Sequence, residues 1–318
     1  LKSVLVASAA MVLCSCAPLH KSDNTDAGHA LVRSEQRWSA GGAGGRVLRT
    51  PRVRLFTTLE DGPLLERLPV TLEHTITGFG RFWPDAPELD HSLDVIVYAS
   101  VEQWRRAVRD RFAIEPGRAL DSGAATSGGV SLLHDIGDEL TLRLAAHELW
   151  HAYKQTTIGR GFPTAIDEAI ACYVEGMRWD GASMAPVLSP WSNPVRQRRL
   201  RALVRDGRLG SLAEHLAGNP HELVDSAEQL DDYYARAWAL GLTLLASDDV
   251  QLREGVARML GDARRGVHLR GMLQSEPESW DDLCGRYFQQ RLEELDIKWR
   301  IVAHRLAGGR PVAGQGLP

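Results

Sequence analysis

This chain has no strong charge of either sign, no apolar run long enough to cross a membrane and very little cysteine. Its formal net charge is −4 over 318 residues. A weakly acidic protein has no general attraction for phosphate backbones, so nucleic acid is excluded as a general partner. The apolar run at the front of the chain, Val4 to Leu13, is too short to span a bilayer as a helix. Of the four cysteines, Cys14 and Cys16 fall beside that run. Cys172 and Cys284 could form one disulfide or stay as two buried thiols, and the thiol reading is preferred. There is no internal repeat. With 44% hydrophobic and 25% charged residues the balance is that of an ordinary globular protein, and the length suits one large bilobal domain or two small ones.

The leading segment, residues 1–16, carries Lys2, the short apolar run and then Leu13-Cys14-Ser15-Cys16. It resembles a bacterial lipoprotein signal peptide, with Cys16 as the lipidated residue because a small residue precedes it. That implies export to the cell envelope and a membrane anchor that does not span the bilayer. Residues 17–45 are polar and small, ending in Gly41-Gly42-Ala43-Gly44-Gly45, and read as a flexible tether. The folded part is expected over 46–306, with 307–318 as a tail. Val47 to Thr58 reads as two short strands separated at Pro51. Leu64 to Phe82 has helical spacing that Pro69 should kink or restart. Leu93 to Tyr98 reads as a buried strand and Ser100 as the N-cap of a helix through Phe112. Gly123 to Leu133 reads as a hairpin or edge strand.

From Asp138 onward the pattern is almost wholly helical, with helices expected at about 138–155, 164–176, 194–206, 211–217, 226–246, 249–264 and 277–306. The fold class is therefore α+β. A small mixed sheet occupies an N-lobe at 46–155, and a helical C-lobe occupies 156–306.

The chemistry centres on His147-Glu148-Leu149-Trp150-His151. Two histidines four apart on a helix place both imidazoles on one face, where two ring nitrogens can reach one divalent cation. Glu148 can sit beside the metal without binding it, placed as a general base toward water. The flanks, Leu144-Ala145-Ala146 and Ala152-Tyr153, are uncharged, a costly setting for polar groups that have no task. A catalytic zinc usually takes three protein ligands. Glu168 follows His151 with 16 residues between them, room to turn and present a carboxylate from an antiparallel helix. Asp167 and Glu175 are rivals for that position. Partners orienting the histidines are open among Asp167, Tyr173, Asp231 and Asp232.

At these residues the chain resembles the gluzincin metallopeptidases, most of all the peptidase MA-like group. In that group a second motif runs approximately Pro-x-Trp-Leu-x-Glu-Gly-x-Ala-x-Tyr. Pro163, Ile166, Glu168, Ala171 and Tyr173 match it, while Ala165 stands for its tryptophan and Ala169 for its glycine. The resemblance implies a zincin-like, thermolysin-like bilobal fold. It also implies Zn2+ held by His147, His151 and Glu168, Glu148 as catalytic base, and a peptide or protein substrate. Hydrolysis by metal-activated water then needs a second donor for the oxyanion. Tyr234, with Tyr233 as its rival, is the candidate, and packing beside Trp238 is the competing reading for both. An inactive scaffold module at the envelope and a zinc amidase acting on cell-wall material are the alternative functions. Ser127 to Leu133 is a candidate strand edge for an extended substrate. The run Arg196-Gln197-Arg198-Arg199-Leu200-Arg201 reads as a solvated face, His74, His134 and His215 as surface or satisfied polar residues, and His221-Glu222-Leu223 as surface.

Overall fold

The computed structural model describes residues 31–40, 43–113, 123–159, 161–223, 226–267 and 279–308. The expected leader, the expected lipid site at Cys16 and most of the expected tail lie outside the described residues. Among those described, no helix is long and apolar enough to cross a membrane.

A six-stranded mixed sheet forms the N-terminal half. Its strands are β1 (Ser34–Ala40), β2 (Ala43–Arg49), β3 (Val53–Thr57), β4 (Leu93–Tyr98), β5 (Ala124–Ser127) and β6 (Val130–His134), in the order β1-β2-β3-β4-β6-β5. The β3–β4 and β4–β6 pairs are parallel and the other three are antiparallel. Alternation along the strands divides the side chains between two cores. Leu48, Val53, Leu55, Val95, Val97 and Leu133 face the main core. Val47, Phe56, Ile96, Tyr98 and Leu132 face the other way, onto Trp104 and Val108 of helix α2 (Val101–Phe112). Both faces of β4 are covered, which is why Leu93-Asp94-Val95-Ile96-Val97-Tyr98 is buried throughout. Ser100 caps α2 as its spacing suggested, accepting from the Gln103 amide.

The expected tether is corrected over its last part, because residues 34–40 and 43–45 belong to β1 and β2. Trp38 packs edge-on to Phe56 with centroids 5.4 Å apart. Gly45 has a steric reason: a Cβ there would stand 2.4 Å from the Thr57 carbonyl oxygen. At Gly45 the glycine marks close strand approach rather than a loose chain. Among the described residues the sheet starts at Ser34, ahead of the expected start of the fold at 46.

Helix α1 (Pro63–Phe79) runs through Pro69 without a break, so the expected restart does not occur. Burial of Leu64, Leu65, Leu68 and Leu72 against the main core outweighs the lost backbone hydrogen bond. The long helix α3 (Asp138–Thr157) packs against α1 and the sheet and is buried on nearly all sides. Helix α4 (Thr164–Val174) is buried from Ala165 to its end.

The helical second half holds one element the sequence pattern did not show. A two-stranded sheet, β7 (Met177–Asp180) with β8 (Ala185–Leu188), follows α4. Then come α5 (Pro194–Arg205), α6 (Leu212–Ala217), a 3-10 turn at Pro220–Glu222, α7 (Ala227–Leu245) and α8 (Val250–Arg264). The helix expected over 277–306 is divided into α9 (Trp280–Leu283), a π-helical turn at Cys284–Phe288 and α10 (Leu292–Ala307). Gln289, in the left-handed region at φ 55°, breaks it. Helix α4 lies against α7 at very close range: a Cβ on Gly241 would meet the Ala169 carbonyl oxygen at 2.2 Å. Small residues on both helices permit that approach.

The Arg196–Arg201 run is not simply a solvated face. Arg199 pairs with Glu228 and Asp232, Arg201 donates to the Ala307 carbonyl, and Arg196 turns inward, while Arg198 stays exposed. Cys172 and Cys284 are both free and buried.

Gly45→Val is expected to destabilise the fold by about 1–3 kcal/mol through forced separation of β2 from β3. Gly44→Val, whose Cβ would meet nothing within 4 Å, should change stability by less than about 0.5 kcal/mol. Urea denaturation of the two variants checks this, and equal effects would remove the close-approach explanation.

Candidate metal centre

The antiparallel return from α3 into α4 brings three donor atoms together. Nε2 of His147 lies 3.1 Å from Nε2 of His151. Oε2 of Glu168 lies 3.4 Å from the first nitrogen and 3.5 Å from the second. All three side chains are well shielded from solvent, and Glu168 Oε2 is buried with no hydrogen-bond partner among the described residues. The arrangement is unfavourable by itself. An imidazole whose Nδ1 holds the proton turns a lone pair inward at Nε2, so two lone pairs and a carboxylate would face one another in low dielectric. A cation at their common point resolves it, and the group is geometrically able to hold a metal ion.

Each histidine is oriented from behind by a carboxylate, Asp167 within α4 and Glu175 at its C-cap. His147 Nδ1 donates to Glu175 Oε1 at 2.8 Å, which leaves Nε2 as the donor atom toward a metal. Glu175 is in turn held by Arg196, through Nε and Nη2, and by Asn193 Nδ2 at 2.7 Å. Asn193 also caps α5, accepting from the Arg196 amide, so a single turn sets both partners. Asp167 Oδ2 stands 3.4 Å from His151 Nδ1. That carboxylate is fixed by Trp150 Nε1 at 2.8 Å and Lys154 Nζ at 2.9 Å. Of the partners left open, Asp167 is therefore one. Glu175, a rival for the ligand position, is the other. Asp232 is taken up by Arg199 and Arg208, and Asp231 lies 3.8 Å from Arg196.

The charges behave accordingly. Burial alone would lower the His151 pKa, but the Asp167 and Glu168 carboxylates raise it to about 10. His147 is likewise raised well above its ordinary value, with Cys172, Glu168 and Glu175 overcoming burial. Burial would raise Glu168, yet the two histidines hold it below the usual carboxylate range. Without a cation the site therefore retains protons, and a metal must displace them.

Cys172 lies beside His147 and Glu175 as a second possible donor set. It is a poor one. Both Glu175 oxygens are occupied, Arg196 opposes a second cation, and burial with the Glu175 charge pushes the Cys172 thiol up to about 12.

Glu148 follows the first candidate ligand and opens onto the same recess as His147 and Tyr234. Its Oε2 accepts from Thr126 Oγ1 at 2.5 Å, and Ser131 Oγ donates to its backbone carbonyl at 3.1 Å. Thr126 and Ser131 are cross-strand partners on β5 and β6. Neither was singled out in the sequence, because pairing register is not visible there. Among the described residues, the free edge by the site is β5, at 124–127. The expected edge at 127–133 is corrected, since β6 is paired on both sides.

Tyr234 is brought to the centre, its ring 5.8 Å from that of His147 and under the Arg196 guanidinium at 4.8 Å. Burial and the nearby Glu168 and Glu148 charges raise its phenol well above 10, so it stays a donor. Tyr233 points elsewhere, onto His215 at 4.7 Å between centroids. His215 is corrected from surface or satisfied: it is buried with neither nitrogen hydrogen-bonded, and burial with Arg236 lowers it to about 3.

No protein-family model matches the chain, and no curated protein or solved structure matches it.

Glu175→Gln is expected to weaken metal binding by about 10–100-fold while the protein stays folded. Competition with a chromophoric chelator reads this, and unchanged affinity would end the orienting role of Glu175. A group whose folded pKa is raised contributes stability below its unfolded value and loses it as pH rises through the folded one. For His151 that window runs from 6.5 to about 10. The melting temperature of chelator-treated protein should fall across that range, and metal-loaded protein should lack this component. Calorimetry at stepped pH measures it, and a flat metal-free profile would contradict it.

Proposed function

We propose that the chain is a zinc-dependent peptidase of zincin-like, bilobal architecture, acting through Glu148 as general base. The observation that carries this reading is the triangle of two Nε2 atoms and one unpartnered carboxylate oxygen with edges of 3.1, 3.4 and 3.5 Å. Ligands about 2.0–2.1 Å from a tetrahedral zinc stand about 3.3 Å apart, so the donor set fits that ion. A purely structural zinc would be closed by a fourth protein ligand. Here the donor set offers three protein ligands, one of which, His147, lines a recess together with Glu148, a carboxylate not needed for binding. The α+β architecture, with a mixed sheet ahead of the histidine helix and helices after it, is compatible with the same reading.

Zinc held there supplies Lewis acidity, making water easier to deprotonate and polarising a carbonyl. The protein's own residues do the rest. Glu148, with Oε2 held by Thr126, takes the proton from water at Oε1 and delivers it to the leaving nitrogen. The water oxygen forms the new bond to the carbonyl carbon as the C–N bond breaks. Tyr234, kept protonated, donates toward the carbonyl oxygen as negative charge develops on it. The free edge of β5 lies next to Glu148 and suits main-chain pairing with an extended peptide. Arg143 ties the start of α3 to the second half by donating to the Glu175 and Ser192 carbonyls, so ligand helix and holding shell move together.

Zinc analysis with cleavage of an unstructured protein tests the function. Glu148→Gln should retain zinc and lose about 10²–10⁴-fold in rate. Zinc without any cleavage would favour a scaffold, and cleavage of wall fragments but not protein would favour an amidase. Tyr234→Phe is expected to lower kcat by about 10²–10³-fold with little change in KM, and unchanged turnover would return Tyr234 to packing. Thr126→Val should lower kcat and Thr126→Ser should restore most of it. Equal rates for the three proteins would show that the strand hydroxyl does nothing for the base.

A further inference from the structure

The chain is weakly acidic as a whole, yet its opening strands are strongly basic. Residues 31–58 hold six arginines against one acid, Glu35. Helix α2 adds four arginines against Glu102 and Asp110. The fold brings part of this charge to one face. Alternation along the strands turns Trp38, Val47, Arg49, Arg54 and Phe56 away from the main core, onto the sheet face that α2 also packs against.

Arg49 and Arg54 are register partners across β2 and β3. Like charges directly opposite one another are unfavourable in a sheet. Asp94 answers them from β4, but Arg54 takes both of its oxygens, at 2.6 and 2.8 Å. Arg49 is left without an ion pair among the described residues. Arg33, just ahead of β1, is exposed, and its amide donates to the Arg49 carbonyl at 2.7 Å. Burial raises the Tyr98 phenol and Arg111 opposes that rise, which puts the exposed end of α2 near the same face. Aromatic rings lie among these arginines. Trp38, half-buried, has its ring 5.4 Å from that of Phe56 and 6.3 Å from that of Tyr98, and Arg54 lies over Phe56 at 5.9 Å.

We infer that the outer face of β1–β3, with the end of α2, is an electrostatic docking surface for a bilayer with anionic headgroups. Guanidinium groups attract the headgroup phosphates, and a partly open tryptophan suits the depth at which those headgroups lie. Chain geometry favours the same occupant. The chain enters the sheet at Ser34, which is the register partner of Arg49. Lipid on Cys16, implied by the leading segment, would stand 18 positions before Ser34, within about 60 Å of fully extended chain. A tether of that reach keeps headgroups at high local concentration, so a weak attraction suffices. Orientation agrees as well. β1 and β5 are opposite edges of the sheet, and the recess beside the candidate metal centre opens at the β5 end. A bilayer against the β1–β3 face leaves that recess in solvent. The inference does not rest on the peptidase reading.

Vesicle flotation of the full chain carrying Cys16→Ser, which removes any acyl chain, tests this. Phosphatidylcholine vesicles with and without phosphatidylglycerol are compared at low and at physiological salt. About tenfold or more protein is expected on the anionic vesicles, with the excess shrinking as salt rises. Arg49→Gln combined with Arg111→Gln should lower anionic binding by about fivefold for each arginine lost. Arg198→Gln combined with Arg205→Gln removes the same charge from the exposed side of α5 and should lower it by less than about twofold. Melting curves verify that both pairs fold, and the salt dependence of the unmodified surface needs no variant. Equal binding to neutral and anionic vesicles would overturn the inference. So would equal losses for the two arginine pairs, which would assign the effect to net charge. Tighter binding to a DNA duplex than to anionic vesicles, lost with Arg49 and Arg111, would overturn it in favour of nucleic acid.

Discussion

The structure turns on one electrostatic constraint: two imidazole nitrogens and a carboxylate oxygen converge on one point inside the protein. As neutral rings they need a cation between them, and without one the histidines hold protons against Glu168. The surrounding packing keeps them there. α3 is buried along most of its length and cannot rotate its histidines away. α4 is clamped between α3 and α7, with Ala169 against Gly241 at a separation that leaves no room for a larger side chain.

Helix α4 and its C-cap supply the acids that meet the two histidines. Glu168 is the candidate ligand, Asp167 stands behind His151, and Glu175 stands behind His147. Residues 167 and 168 point about 100° apart on a helix, so one reaches the inner nitrogens and its neighbour the outer nitrogen of His151. Glu175 lies about two turns on, deep enough to meet His147 from its far side. The second half of the chain then fixes Glu175 through Asn193 and Arg196, and Arg196 carries the ring of Tyr234 on its face. A single cation thus links the orientation of one candidate ligand to that of the candidate oxyanion donor. The buried polar groups form a connected set in which most members are satisfied, which restricts each to one geometry.

The sheet contributes by register. Thr126 and Ser131 face one another across β5 and β6 and converge on Glu148. The glycine-rich stretch before residue 46 extends the sheet through β1 and β2, where composition alone suggested a tether. Composition records small polar residues, and those serve equally a loose chain and strands in tight contact. The uninterrupted α1 through Pro69 teaches the same lesson, since burial against the core outweighed the local signal.

His147, Glu148 and His151 declared themselves by spacing, because four residues on a helix bring two side chains to one face whatever the rest of the chain does. Glu168 was legible as the leading acid on the next helix, and Tyr234 as a phenol on a later one. The chain order of strands and helices likewise determined the α+β class. What the linear pattern held open was which of Asp167, Glu168 and Glu175 meets the inner nitrogens and which stands behind them. Thr126, Asn193 and Arg196 were invisible as site residues, because they lie 22, 45 and 48 positions from Glu148 and only strand register and helix packing bring them near. Local periodicity is written in the chain, but contacts between distant segments depend on how buried surfaces fit, and only the tertiary structure decides that.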